Sequence, residues 1–339
     1  MDPFKKNQIG TTDFYLPYLG VGTAALSGNT LGGGLYGGVE LDRAVTIINH
    51  AYDEGLRYFD TAPLYGTGKA EYRISLSKLP SVNRNSFIIS SKVGRVIHPD
   101  TYQPNQKYEQ LDDLIATNSW TEKNVLLSVE QSLKRLNLEK IDILYVHDPD
   151  MEVYGETEAI KGAFPTLIKL REEGLVSAIG CGMNQWEMAY RFVEKFKLDV
   201  ILLAGRFTLL DQSAAKDFLP LCEKNKVSIV IGGPYNSGIL AKDLSKPVTF
   251  DYEVAPPHLV KKAEDISKIC NNHGVNIKAA ALQFVLLHPT VVSAIPGVQS
   301  VAEVNENINH VKHDVPIDLW KELNEAGLIQ DNSHLVSSQ

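Results

Sequence analysis

Eight short, nearly continuous apolar runs, each separated from the next by a helix-like stretch, constrain this chain more than any other feature. They are LPYLGVG (16–22), LRYFD (56–60), FIISSK (87–92), IDILYVH (141–147), VSAIGCG (176–182), DVILLAG (199–205), VSIVIGG (227–233) and VVSAIPG (291–297). Strands of a parallel sheet are covered on both faces, so they lose the apolar–polar alternation of half-exposed strands and read as such runs. Between them, 41–54 places Leu41, Ala44, Ile47, Ile48 and Ala51 on one stripe, with Gly55 at the C-terminal stop. Thr121 stands where an N-cap belongs for a helix over 122–136, and Gly174 closes one over 163–173. Further helices are predicted over 186–195, 214–225, 257–273, 277–287 and 301–309.

Eight strand–helix units predict an α/β fold of the (β/α)8 barrel type, a single domain with its core over about 14–325. An open doubly wound sheet is the alternative, but no GxGxxG follows the first run, where a dinucleotide-binding sheet carries it. Residues 4–15 are expected to form a small hairpin over the bottom of the barrel. The long connections 27–39 and 96–119 follow strands and so belong to the functional face, and the polar stretch after about 325 reads as a tail.

Composition narrows the function. A formal net charge of -8 disfavours a nucleic-acid partner. The three cysteines, Cys181, Cys222 and Cys270, are isolated; they predict neither disulfides nor zinc, and they suit a reducing compartment. The N-terminus lacks the apolar core of a signal peptide, and no run is long enough to span a membrane. These features predict a cytoplasmic protein with a small-molecule substrate, no metal and no membrane partner; the oligomeric state is left open.

The C-terminal ends of barrel strands carry the active site in folds of this kind. Here strand two ends in Asp60, with Tyr65 in the following turn; strand three ends in Lys92 and strand four in His147. A phenol is a poor base at neutral pH, but an adjacent ammonium stabilises the phenolate. A carboxylate would hold that ammonium in place, and a histidine would orient the reacting oxygen. Tyr65 could then serve as general acid for a carbonyl or general base for a hydroxyl. Taken singly, each residue also has a structural reading: Asp60 as a turn cap, Lys92 as a solvated charge, His147 as a core histidine. Their convergence on one face favours chemistry.

The segments FDTAPLYG (59–66), SSKVGR (90–95) and LYVHDPD (144–150), with GVGT (20–23) and IPG (295–297), resemble the aldo-keto reductase superfamily over about 14–325. The resemblance implies hydride transfer to or from a nicotinamide cofactor without a metal. It gives Tyr65 the acid/base role, Asp60 and Lys92 the tuning of Tyr65, and His147 the orientation of substrate. Asp60, Gly22, Thr23 and Asn184 match positions near the nicotinamide, and GGPYNSGIL (232–240), with Pro234, Tyr235, Asn236, Ser237 and Gly238, matches the loop over the pyrophosphate. Gly297 and Glu303 match positions that grip the 2′-phosphate in members using NADP, Gln299 and Ser300 are expected to bind cofactor in the same stretch, and Glu306 and Asn307 match positions near the adenine. Three positions depart from the family pattern: Met183 replaces a serine, Ala204 a glutamine and Gly232 a stacking aromatic.

Family members that use NADP often carry Lys and Arg where this chain has Gly297 and Glu303, so NAD is the expected cofactor, with NADP left open. Within the family the chain resembles the branch that oxidises free aldoses at C1, the L-fucose and D-threo-aldose dehydrogenases, together with pyridoxal 4-dehydrogenase. Asp148 is the candidate for sugar hydroxyls, and Tyr36 and Trp120 for the apolar face of a sugar ring. An NADPH-dependent carbonyl reductase and a non-catalytic channel partner on the same fold are the alternatives.

Overall fold

The computed structural model describes residues 1–28, 38–98, 108–111, 114–251 and 253–330. Eight parallel strands form one sheet: β1 (Val21–Gly22), β2 (Tyr58–Asp60), β3 (Ile88–Val93), β4 (Ile143–His147), β5 (Ala178–Met183), β6 (Val200–Ala204), β7 (Ser228–Gly232) and β8 (Val291–Ile295). Neighbours in sequence are neighbours in the sheet, and the parallel bridges Leu19–Ala294 and Gly22–Gly297 join the first strand to the eighth. The fold is therefore the (β/α)8 barrel rather than the open sheet.

One expected boundary changes. Residues 16–22 do not form one barrel strand. Tyr15–Pro17 pairs antiparallel with Lys6–Gln8, and the chain enters the barrel only at Leu19. This hairpin closes the bottom, where Ile9 and Leu16 pack on the barrel interior against Tyr58, Ile143, Tyr145, Val200 and Val230. The larger core lies between the strands and the surrounding helices. Barrel curvature makes one close approach that only glycine tolerates: a Cβ on Gly180 would lie 1.6 Å from the Val200 carbonyl oxygen.

Most helices fall where the periodicity places them. Glu122–Leu136 and Trp186–Lys195 coincide with expectation, although Thr121 caps by position and not through its side chain. The predicted helix at 163–173 begins earlier, at Gly155, and passes through a π turn at Ala159–Ala163 before Phe164–Glu172. The predicted helix at 214–225 begins only at Phe218. Two helices were not expected, Lys69–Ser75 and Ile317–Glu325, and the connection after β3 contains an antiparallel pair, Arg95–His98 with Ile115–Asn118. Among the described residues, no helix is long and apolar enough to cross a membrane.

Candidate active site

The four residues predicted at the strand ends do meet. Lys92 Nζ donates to Asp60 Oδ2 at 2.7 Å and to the Thr61 carbonyl at 2.8 Å. Both side chains of the pair are 1 % exposed. The other carboxylate oxygen, Asp60 Oδ1, accepts from the Ser90 hydroxyl at 2.6 Å. Burial pushes the Asp60 carboxyl above its ordinary range, and the Lys92 ammonium and the Ser90 hydroxyl pull it back. Tyr65 is half-buried at the mouth, with Lys92 Nζ 4.7 Å from its ring centroid. The His147 ring stands edge-on to Tyr65, centroids 6.0 Å apart. Burial, then the charges of Lys92 and Arg95, holds the His147 imidazole well below its usual range, so it is neutral at neutral pH. Its Nε2 lies 3.3 Å from Asp148 Oδ2, and its buried Nδ1 has no hydrogen-bond partner among the described residues.

The layer beneath follows from the two-residue period of a strand. Two positions before Asp60, Lys92 and His147 stand Tyr58, Ser90 and Tyr145. The Tyr58 hydroxyl lies 3.0 Å from Ser90 Oγ and 3.4 Å from the Tyr145 hydroxyl. Burial raises both phenols far above their ordinary range, so they remain neutral. The ion pair thus rests on a floor of neutral hydroxyls.

Trp120 requires a correction. It is fully buried, and its Nε1 donates to the His147 carbonyl at 3.1 Å, so it cannot offer a face to a sugar ring. It braces the backbone of His147 together with Arg95, whose guanidinium lies over the Trp120 ring and whose Nη1 reaches the same carbonyl at 3.3 Å. This packing explains Gly94, whose φ is +113° and where a Cβ would meet Trp120 Nε1 at 2.1 Å. Tyr36, the other residue expected against a sugar ring, lies outside the described residues.

From the mouth a groove runs along the ends of β6, β7 and β8. Gly22, Asp60, Tyr65, Asn184, Asn236, Ser237 and Gly297 line its first part. Pro234, Tyr235, Gly238, Gln299, Glu303, Glu306 and Asn307 line its second. The two parts share Ala25, Gly233, Asn236, Ser237 and Gly297. The loop after β7 holds its shape through backbone conformation, with Gly233, Asn236, Ser237 and Gly238 all at positive φ. Asn236 is pinned on both sides, by the Thr208 hydroxyl at 2.5 Å and through its own amide to the Gly205 carbonyl at 3.0 Å. The Tyr235 hydroxyl donates to Asn307 Oδ1 at 2.7 Å.

Two expected cofactor residues do other work. Thr23 is fully buried, and its backbone N–H and hydroxyl both donate to the Asp60 carbonyl, at 3.0 and 2.9 Å. Ser300 caps the helix Val301–Lys312 by accepting from the Glu303 N–H at 3.1 Å. Glu303 returns the bond, accepting from the Gln299 N–H at 2.8 Å, in a variant of the capping box. Glu303 therefore both caps the helix and lines the groove.

The model of the aldo/keto reductase family matches residues 18–327. The chain belongs to that family. It is 37% identical over 321 residues to a D-threo-aldose 1-dehydrogenase from Pseudomonas sp, covering 93% of this chain and 95% of that one. It is 33% identical over 343 residues to a pyridoxal 4-dehydrogenase from Microbacterium luteolum, covering 96% and 98%. The solved holo form of an aldo-keto reductase from Bacillus halodurans superposes with a TM-score of 0.74 at 20% identity, covering 96% of this chain and 97% of that one. Membership makes the chain an oxidoreductase that works with a nicotinamide cofactor and a small-molecule substrate.

The walls of the groove are compatible with such a cofactor. Its lining near Tyr65 is small: Gly22, Ala204, Gly205, Gly232 and Gly233 leave a slot that side chains would fill. A Cβ on Gly22 would press on the Ile295 carbonyl at 2.8 Å. Ala204 and Gly232, two of the departures from the family pattern, both line this slot. The third, Met183, is buried in the core, 2 % exposed, leaving Asn184 alone of that pair on the groove.

Residues the sequence reading passed over also line the groove. Arg206, after β6, bonds Asp251 Oδ2 at 2.7 Å. Lys278 bonds Glu306 Oε2 at 2.5 Å, and Lys242 lines the same part of the groove. Arg206 follows the predicted strand run DVILLAG directly, and that position at a strand end is the signal that could have found it. Lys278 comes from a helix start remote in sequence, and nothing local marks it.

Proposed function

We propose that this enzyme oxidises a free aldose, in its cyclic hemiacetal form, at C1 to the lactone, with NAD as the hydride acceptor. The observation that carries the chemistry is the placement of Tyr65 at the groove mouth beside a buried, ion-paired ammonium. That ammonium favours the phenolate, which lets Tyr65 take the hydroxyl proton of the hemiacetal. Asp60 keeps Lys92 charged and aimed. His147, neutral, offers an N–H to the reacting oxygen without adding a positive charge that would oppose departure of the hydride from the carbon. When bound, NAD would accept the hydride released from the anomeric carbon. Gly22, Asn184 and Gly297 would flank the nicotinamide end, the 233–238 loop the pyrophosphate, and Glu303, Glu306 and Asn307 the adenosine.

The preference for NAD rests on charge. Glu303 faces the groove, and the lining cation Lys278 is held by Glu306. A carboxylate accepts from ribose hydroxyls and repels a phosphate. The aldose reading is supported by the likeness to a D-threo-aldose 1-dehydrogenase, and the likeness to a pyridoxal 4-dehydrogenase supports pyridoxal as the second substrate to test. Dehydrogenase assays with L-fucose, D-arabinose, L-galactose and pyridoxal, each with NAD and NADP, separate these readings. The expected result is turnover of at least one sugar with NAD ahead of NADP. Turnover of pyridoxal alone would reject the aldose reading, and a clear lead for NADP would reject the role given to Glu303.

A further inference from the structure

We propose that Asp148 is the specificity-determining residue of this site, and that it selects substrates carrying a hydroxyl on the carbon next to the reacting one. This deepens the functional reading above and rests on its premise that His147 Nε2 holds the reacting oxygen. Asp148 follows His147 directly, and its backbone takes the left-handed conformation at φ 40°, which a short polar side chain such as Asp tolerates. That turn is fixed: the Asp148 N–H donates to the Gly182 carbonyl at 3.2 Å, and Pro149 follows. It brings the carboxylate back over the imidazole, to 3.3 Å from Nε2. The nearest acceptor assigns the imidazole proton to Nε2, so Nε2 donates and the carboxylate accepts.

A ligand oxygen that takes the Nε2 proton deprives the carboxylate of its present partner. The carboxylate is largely shielded, 24% exposed, and an unpaired buried acceptor is costly. A hydroxyl on the neighbouring carbon restores the pairing. The 3.3 Å between donor and acceptor is comparable with the spacing of oxygens on adjacent sugar carbons. Burial pushes the Asp148 carboxyl up to about 7, and the Arg95 guanidinium pulls toward the anion. The site thus presents one donor and one acceptor side by side, a match to an α-hydroxy aldehyde or its hemiacetal. An aromatic aldehyde such as pyridoxal has a ring carbon in place of that hydroxyl-bearing carbon.

The test compares pairs that differ only in that hydroxyl, assayed well above the Asp148 titration. D-Arabinose and 2-deoxy-D-ribose are compared as substrates for oxidation with NAD, and glycolaldehyde and acetaldehyde for reduction with NADH. Each pair is run on the wild type, Asp148→Asn and Asp148→Ala. The wild type should favour the hydroxylated member of each pair by at least about tenfold in kcat/KM. In Asp148→Ala the preference should fall to within about threefold, with Asp148→Asn, which keeps an acceptor, in between. NAD titration by fluorescence, with affinity within about twofold of wild type, shows that the variants fold. Equal turnover of the paired substrates by the wild type, or an unchanged preference in Asp148→Ala, would overturn the proposal. If the sugars are not oxidised but the aldehyde pair shows the Asp148-dependent preference, the aldose reading fails and the role of Asp148 stands.

Discussion

The two halves of the barrel mouth are built on different principles. At the ends of β2, β3 and β4, function lies in side chains that are buried, ion-paired and hydrogen-bonded from below. Lys92, Asp60 and Ser90 form a closed set, and Tyr58 and Tyr145 complete the layer beneath it. At the ends of β7 and β8, function lies in backbone shape. Small residues leave a slot, and a loop of positive-φ residues curves along it. On the proposed function, the first half would set the ionisation of one phenol, which demands fixed charges in a low-dielectric place. The second, on the reading proposed above, would receive a long, polar cofactor, which demands space and backbone donors. Precision in the first half depends on which residue types are present, and in the second on which are absent.

This contrast predicts unequal responses to substitution. The largest effect is expected for Lys92→Met. It removes the charge that tunes Tyr65 and strands Asp60 in the interior, so kcat/KM should fall by about 10²–10⁴-fold. Stability should drop by roughly 3–5 kcal/mol, the range for breaking a buried pair. Chemical denaturation with parallel kinetics measures both; a loss of cofactor affinity in place of turnover would erase the distinction between the two halves. Glu303→Lys should act on the other half alone. It should move the ratio of NAD to NADP affinity by at least about tenfold, or 1.4 kcal/mol, toward NADP. Glu303→Gln, which keeps an acceptor for the Gln299 N–H, separates this from the loss of the cap, worth about 1 kcal/mol.

The smallest effect concerns pH. Burial, Lys92 and Arg95 depress the folded pKa of His147 below its ordinary value near 6.5. As pH falls below that value, the unfolded chain takes up a proton at His147 that the folded one refuses, so stability decreases. NMR of labelled histidine should show His147 still neutral where an exposed histidine is already charged, and Arg95→Met should raise its pKa. A His147 that titrates at its ordinary value would remove the basis for a neutral donor at the site.

The same contrast decides what was legible in the sequence. The barrel was, because strands buried on both faces must be apolar throughout. The charged tetrad was, because ionisable residues at the ends of such strands stand out. The helix Lys69–Ser75 was not: its buried charged residues include Glu71, bonded to Arg135 and Ser91, and Arg73, which reaches the Leu26 carbonyl. Partners so distant in sequence leave no amphipathic stripe to read. Trp120 was misjudged because an aromatic in a connection looks the same whether it faces a ligand or, as here, holds a backbone carbonyl. Thr23 and Ser300 were placed by position along the chain, but hydrogen bonds to the Asp60 carbonyl and the Glu303 N–H claim them instead.

The central claim is that Tyr65 moves the proton while the groove holds the cofactor independently. Replacing Tyr65 by Phe and measuring NAD affinity by fluorescence beside turnover of the best aldose tests it most directly. The account predicts an affinity close to wild type with turnover reduced by about 10²–10⁴-fold. Turnover within a few-fold of wild type would contradict it.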